Sequence, residues 1–195
     1  MTETPLMDRI HITEDYDVPR VINGGWQLSA GHALERPLDL ADATRAFNRL
    51  IDMGFDTFDC ADIYTGVEDF FGGIIRERRK AGLRLPQIHT KFVPDLNDLA
   101  NVTPAYVENI ITRSLRRLGV ERLDAVQFHW WDYSVPGMVD VAGELVRLQE
   151  KGLIRLISTT NFNAVELRKL IDAGIPVATN QCQYSVLDRR PAMRL

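Results

Sequence analysis

Cysteine is scarce in this chain: only Cys60 and Cys182 occur among 195 residues. They form no CxxC pair, and two thiols cannot build a disulfide framework, so a reducing, cytoplasmic setting is expected. Long apolar runs are also missing. Nothing approaches the roughly 18 consecutive apolar residues of a membrane-spanning helix. The stretch from Met1 to Asp17 is acidic and polar, without the basic-then-apolar order of a secretory signal. The Asn101-Val102-Thr103 triplet therefore reads as a chance match to a glycosylation acceptor. There is no basic excess, since 23 Lys+Arg against 27 Asp+Glu leave a net charge of −4. Such a chain has little with which to neutralise phosphates, and no nucleic-acid partner is expected. No Walker loop, GxGxxG or GxSxG occurs, which removes support for phosphate cradling of those kinds and for serine hydrolysis. His11, His32 and His89 lack ligand-like spacing to Cys or carboxylates, so no metal site is expected.

What is present is an alternation of strand and helix patterns from about residue 20 to the end. Strands are expected at 21–24, 57–60, 87–92, 125–129, 154–159 and 177–181, with helical periodicity between them. The segment 40–53 places Ala43, Ala46, Phe47, Leu50 and Ile51 on one stripe and stops at Gly54, a residue suited to a left-handed cap. Thr103-Pro104 opens a second helix, with a capping hydroxyl followed by a residue whose missing N–H costs nothing there. That helix carries Val107, Ile110, Ile111, Leu115 and Leu118 and ends at Gly119. Further helices are expected at 139–151 and 164–173, before Gly152 and Gly174, with a shorter one over 68–79. Its basic end, Arg76 to Lys80, reads as a solvated terminus. Alternation of this kind implies parallel strands joined by helical crossovers, hence an α/β protein. No linker or low-complexity segment interrupts it, so 1–195 is expected to be a single domain.

The pleat separates two faces. Phe58, Cys60, Ile88, Thr90, Phe92, Val126 and Phe128 would face helices. Thr57, Asp59, His89, Lys91, Gln127 and His129 would face the other way, a polar face better suited to the mouth of a barrel than to the middle of an open sheet. The same parity sends Trp130 into the helix-side core and makes Cys60 a buried structural thiol, while Trp131 and Tyr133 can either line a pocket or pack beneath the next helix. Asp59, Lys91 and His129 each close a strand, and Tyr64 follows in the loop after Asp59. In parallel barrels, strand C-termini are where catalytic residues gather. A phenol titrates near ~10, too high for efficient proton transfer at neutral pH. An ammonium such as Lys91 lowers that value. A carboxylate such as Asp59 keeps the lysine charged, and an imidazole such as His129 can share a hydrogen bond with the same substrate oxygen. The set describes acid–base chemistry at a carbonyl or alcohol oxygen.

These segments resemble one family. Gly54-Phe55-Asp56-Thr57-Phe58-Asp59-Cys60-Ala61-Asp62-Ile63-Tyr64 is similar to the aldo-keto reductase signature with its Asp-x-Ala-x-x-Tyr core. Thr90-Lys91-Phe92 resembles its lysine strand and Leu123 to His129 its histidine strand. Gly152 to Phe162 is similar to its fifth-strand motif, and Asn180-Gln181-Cys182-Gln183-Tyr184-Ser185 to its sixth. The resemblance implies a parallel (β/α)8 barrel of TIM type and hydride transfer from NADPH, less often NADH, to small aldehydes and ketones. It implies Tyr64 as general acid, Lys91 and Asp59 as its tuners, and His129 as the group that orients the carbonyl. It further implies Thr160, Asn161 and Gln181 around the nicotinamide carboxamide, Gly25 at the cofactor and Trp26 as a pocket wall.

The chain departs from the pattern at Ser158 and Thr160, where Gly and Ser are commoner, and at Gly25, where Thr is common. Six strands are expected where the barrel has eight, so the barrel reads as incomplete, stopping as a sixth helix opens near Pro191. By resemblance, the later strands carry the aromatic that stacks on the nicotinamide and the loops that hold its phosphates. Unpaired strand edges would then favour self-association. Two other readings stay open: a non-catalytic cofactor-sensing or partner-binding barrel subunit, and an inactive truncated form.

Overall fold

The structure is a computed structural model and describes residues 8–29 and 39–194. Of the residues singled out above, His32 lies outside them. The chain forms two compact units: residues up to Thr90 together with Ser114–Val120, and Lys91–Arg113 together with Glu121 onward. Apart from an N-terminal hairpin, the strands are parallel and pair in chain order.

The first unit opens with that hairpin, β1 (Arg9–Thr13) against β2 (Tyr16–Pro19). It was not expected from the sequence. Its turn at Glu14-Asp15 lacks glycine or asparagine, and its stabilising partners come from far along the chain. Arg9 pairs with Asp17 and, at 2.8 Å, with the buried Asp56, while the Tyr16 hydroxyl and His89 Nε2 lie 2.9 Å apart. The parallel strands β3 (Asn23–Gly24), β4 (Thr57–Asp59) and β5 (Gln87–Phe92) follow, with helices α1 (Leu40–Asp52) and α2 (Val67–Lys80) between them. Asp39 caps α1 by accepting from the amides of Ala41 and Asp42, and Gly54 ends it at φ 95°, the left-handed conformation expected there.

Helix-facing parity holds in this unit. Phe58 of β4 meets Phe47 of α1 at a 5.0 Å ring separation and Phe71 of α2 at 5.3 Å. Burying such rings contributes about 1.5–3 kcal/mol each, with roughly 0.5–1.5 kcal/mol more per favourable aromatic pair. The basic end of α2 departs from expectation. Arg78 is 4% exposed, and its guanidinium donates to Asn48, Asp52 and the carbonyl of Arg84 at 2.6–2.8 Å. Tertiary neighbours, rather than solvent, satisfy this charge.

Helix α3 (Pro104–Leu118) starts at the expected proline, and Gly119 follows it at φ 68°. The second unit continues with β6 (Leu123–Phe128), α4 (Met138–Glu150), β7 (Ile154–Thr160), α5 (Ala164–Asp172), β8 (Val177–Gln181) and the short α6 (Pro191–Arg194). β7 pairs in parallel with both β6 and β8. Phe92 meets Tyr106 of α3 and Phe128 of β6, and Trp130 is buried against Phe128, as strand parity requires. The expected α/β, parallel-sheet fold with six strand–helix repeats is observed. No helix of the described residues is long and apolar enough to cross a membrane.

Candidate active site

The polar residues of interest sit where parallel strands end. In the first unit, Asp59 closes β4 and the chain turns at once. The amide of Tyr64 donates to Ala61 O at 3.1 Å, and that of Val67 to Tyr64 O at 3.0 Å, which delivers the loop into α2. The carbonyl of Asp59 accepts the Gly25 amide at 2.8 Å. A Cβ at position 25 would lie 3.0 Å from that carbonyl and from Val67 Cγ1. Any larger residue here would press on the Asp59 carbonyl and on the side chains of Val67 and Phe71, which would have to give by a few tenths of an ångström. Trp26, in the 3-10 turn Trp26–Leu28, is 46% exposed.

A buried carboxylate braces the loop from behind. Glu68 accepts from the Thr90 hydroxyl at 2.8 Å and from Arg117 Nη1 at 3.2 Å, and the same Nη1 reaches the carbonyl of Asp62 at 3.2 Å. Sequence reasoning did not find this brace, because no local pattern joins positions 62, 68, 90 and 117. Tyr64 is half-buried, and burial, then the negative charge of Asp59 and the thiol of Cys60, push its phenol up to about 12. The hydroxyl is therefore protonated at neutral pH, as a proton donor must be.

In the second unit, the buried Lys91 is the penultimate residue of β5, and His129 follows β6 with its amide donating to Phe92 O at 3.0 Å. His129 Nδ1 lies 3.3 Å from the carbonyl oxygen of Thr160 at the end of β7. Burial, with a further push from the Lys91 ammonium, holds the imidazole below its usual value despite that carbonyl. Trp131 stands edge-on to His129 at a 4.4 Å ring separation. Its indole N–H is taken by the Pro94 carbonyl at 2.8 Å, and half of the residue is exposed. Of the two adjacent tryptophans, the second therefore borders the histidine and the first belongs to the core.

Beyond Thr160 the backbone turns sharply. Asn161 takes φ 62°, a left-handed conformation that asparagine tolerates better than most residues. Both its backbone groups are tied down: the N–H donates to Gln181 O at 2.7 Å, and the carbonyl accepts from the Tyr133 hydroxyl at 3.3 Å. Thr160 Oγ1 donates to Gln181 Oε1 at 3.3 Å. The Asn161 amide side chain is exposed, with no hydrogen bond among the described residues, at the edge of an open cleft of about 780 Å³ that Phe162, Cys182, Gln183 and Arg190 also line. An amide with its donor and acceptor both available, beside a hydroxyl and a second amide, is a donor set suited to a ligand carboxamide.

The residues singled out in the sequence thus divide between the units. Gly25, Trp26, Asp59 and Tyr64 belong to the first, and Lys91, His129, Thr160, Asn161 and Gln181 to the second. Within the second, hydrogen bonds join His129 to Thr160, Thr160 to Gln181 and Gln181 to Asn161. Tyr133, the support of Asn161, had no sequence signal that distinguished it from a packing aromatic.

The family model described as "Aldo/keto reductase family" matches residues 20–195. Among curated proteins, the chain is 29% identical over 190 residues to methylglyoxal reductase DkgA of Yersinia pestis, covering 96% of this chain and 60% of that protein. It is 30% identical to the chloroplastic pyridoxal reductase of Arabidopsis thaliana, covering 84% and 45%, and 27% identical to the NADH-specific methylglyoxal reductase of Escherichia coli, covering 91% and 58%. The chain therefore spans 45% to 60% of the length of these relatives. Among solved structures, the glycerol dehydrogenase AKR11B4 from Gluconobacter oxydans superposes with a TM-score of 0.78 at 26% identity, over 96% of this chain and 58% of that one. The thermostable aldo-keto reductase Tm1743 shares the fold at a TM-score of 0.79 and 22% identity, over 96% and 66%.

Proposed function

The chain belongs to the aldo/keto reductase family, and from that premise we propose that it serves NAD(P)H-dependent reduction of a small aldehyde or ketone to the alcohol. The observation that carries this reading is the junction at the end of β7, where Thr160 meets His129 through its carbonyl and Gln181 through its hydroxyl, beside the unpaired amide of Asn161. Thr160, Asn161 and Gln181 would hold the nicotinamide carboxamide. The dinucleotide, when bound, supplies the hydride. NADPH is the expected form, with NADH the alternative, and relatives of both kinds exist.

In this reading Tyr64 gives its hydroxyl proton to the substrate oxygen. Burial and Asp59 hold that phenol near 12, so a cation is needed to stabilise the phenolate left behind. Lys91 would be that cation, with Asp59 assisting it as the resemblance implies. His129 hydrogen-bonds the same substrate oxygen, while Trp26 walls the pocket and Gly25 supports the Asp59 turn. We read 1–195 as one domain of this family, acting on small molecules in the cytoplasm, where the free thiols of Cys60 and Cys182 stay reduced.

The test is a fluorescence titration of the 195-residue chain with NADPH and NADH, followed by turnover with methylglyoxal. Binding with turnover that Tyr64→Phe abolishes, while nucleotide binding persists, supports the proposal. Turnover that survives Tyr64→Phe overturns the assignment. Binding without any turnover would favour a cofactor-sensing subunit.

A further inference from the structure

Tyr64 is carried by a loop rather than by a strand, so its aim depends on what holds that loop. Asp59 ends β4, and main-chain bonds from Tyr64 to Ala61 and from Val67 to Tyr64 curl the chain into α2. Such turns fix local shape but not the tilt of the loop as a whole. Arg117, near the end of α3, ties the loop to a distant element. Its Nη1 lies 3.2 Å from the Asp62 carbonyl oxygen, two residues before Tyr64, and 3.2 Å from Glu68 Oε2. That nitrogen carries two hydrogens, one for each acceptor. Glu68 is 1% exposed, and its other oxygen accepts from the Thr90 hydroxyl at 2.8 Å. A carboxylate so enclosed is costly to bury without a cation, so charge as well as geometry holds the guanidinium in place. The main chain of Arg117 is held too: α2 and α3 touch at Gly72, where a Cβ would lie 2.1 Å from the Arg117 carbonyl oxygen. All of these residues lie in the first unit.

We propose that Arg117 and Glu68 are positioning residues for the proton donor, holding Asp62 by its carbonyl and with it the angle at which Tyr64 leaves β4. The role of the aimed hydroxyl rests on the carbonyl-reduction reading; the tether itself does not. A proton donor must lie within hydrogen-bond reach of the oxygen it serves, and a displacement of about 1 Å costs up to about a hundredfold in rate.

Amide hydrogen exchange of the full chain, followed by nitrogen-15 NMR, reads the tether directly. In Arg117→Met, which keeps the stem and removes the donors, the Tyr64 and Val67 amides should exchange roughly tenfold faster, the equivalent of one charge-assisted hydrogen bond. Cys60 and Gln87, whose amides donate to His89 O and Asp56 O at 2.8 Å, should keep their rates. Glu68→Gln, a near-isosteric change, should show the same pattern at smaller size and serves if Arg117→Met does not fold. Arg116→Met, exposed on the same helical turn, should change nothing. Unchanged exchange at Tyr64 and Val67 in every variant that folds overturns the proposal. So does equal acceleration of all four amides, the mark of a strut that merely stabilises the unit. Turnover with methylglyoxal separates aim from binding: kcat should fall by roughly ten- to a hundredfold in Arg117→Met, with NADPH affinity kept because Thr160, Asn161 and Gln181 are untouched. An unchanged kcat overturns the proposal. A parent chain that binds no nucleotide, or never turns over, defeats the carbonyl-reduction reading instead, while the exchange pattern still decides the tether.

Discussion

Two adjacent glycines of α2 should respond in opposite directions to the same substitution. A Cβ at Gly72 would lie 2.1 Å from the carbonyl oxygen of Arg117 and 3.1 Å from its carbonyl carbon and from Leu118 Cα. A carbon and a carbonyl oxygen normally meet at about 3.3 Å, so the backbones must part by roughly 1 Å. Nothing flexible can absorb this, because the obstructing atoms are main chain. Gly72→Ala gains about 1 kcal/mol of helix propensity but must force apart packed helices, an overpacking that costs about 1–3 kcal/mol and sometimes more. The separation also strains the Glu68–Arg117 contact one turn away, 3.2 Å in the native fold. A net loss of about 2 kcal/mol follows, or roughly 4–8 °C in Tm for a chain of this size. At Gly73 the nearest atom to a new Cβ is the flexible Arg76 Nη2, at 3.9 Å. Gly73→Ala should therefore stabilise by up to about 1 kcal/mol. Urea unfolding of the two variants beside the parent measures both signs. A Gly72→Ala protein as stable as the parent, or a Gly73→Ala protein equally destabilised, would refute the close-approach argument.

Arg78→Ala should cost about 2–4 kcal/mol in urea unfolding, because it removes a buried guanidinium and three part-buried hydrogen bonds to Asn48, Asp52 and Arg84; Arg79→Ala, on the exposed side, should cost under about 1 kcal/mol. Burial and Lys91 depress His129, so the unfolded chain binds the extra proton first: its contribution to stability is present above the unfolded value of about 6.5 and is lost as pH falls through the lower folded value. Proton NMR should place the His129 midpoint below that of an unfolded-chain histidine, and His129→Asn should flatten the acid limb of a stability–pH curve. Asn161 occupies φ 62°, so Asn161→Gly should leave Tm nearly unchanged while Asn161→Ala loses about 1 kcal/mol. Both variants should weaken NADPH binding in the fluorescence titration, since both remove the free amide.

Much of this molecule was legible because its cues are local. The strands 87–92 and 177–181 stand with the bounds expected, and the others shift by no more than two residues at either end. Gly54 and Gly119 end helices because a left-handed cap is a short-range requirement. Parity placed Trp130 and Phe58 against helices without reference to any distant residue. The first hairpin has no such local cue, and Arg78 departs from the solvated end expected for its charge run, for the opposite reason. Arg9 is satisfied by Asp56, Tyr16 meets His89, and Arg78 is enclosed by residues 48, 52 and 84. A charge run in sequence carries no record of such neighbours.

The same division runs through the site. The amino-acid sequence by itself determined the residue types at the strand ends, Asp59, Tyr64, Lys91 and His129, together with the fold class that brings strand C-termini to one end of a parallel sheet. That follows from strand periodicity and crossover chemistry, which are short-range. Only the tertiary structure decided that Gly25 packs closely against Asp59 and Val67, where a Cβ would meet both at 3.0 Å. It alone decided that Trp131 rather than Trp130 borders His129, and that the Thr160 carbonyl, 31 positions from His129, lies 3.3 Å from its Nδ1. Hydrogen bonding and close packing depend on where atoms from separate strands meet, and that meeting exists only once the chain has folded.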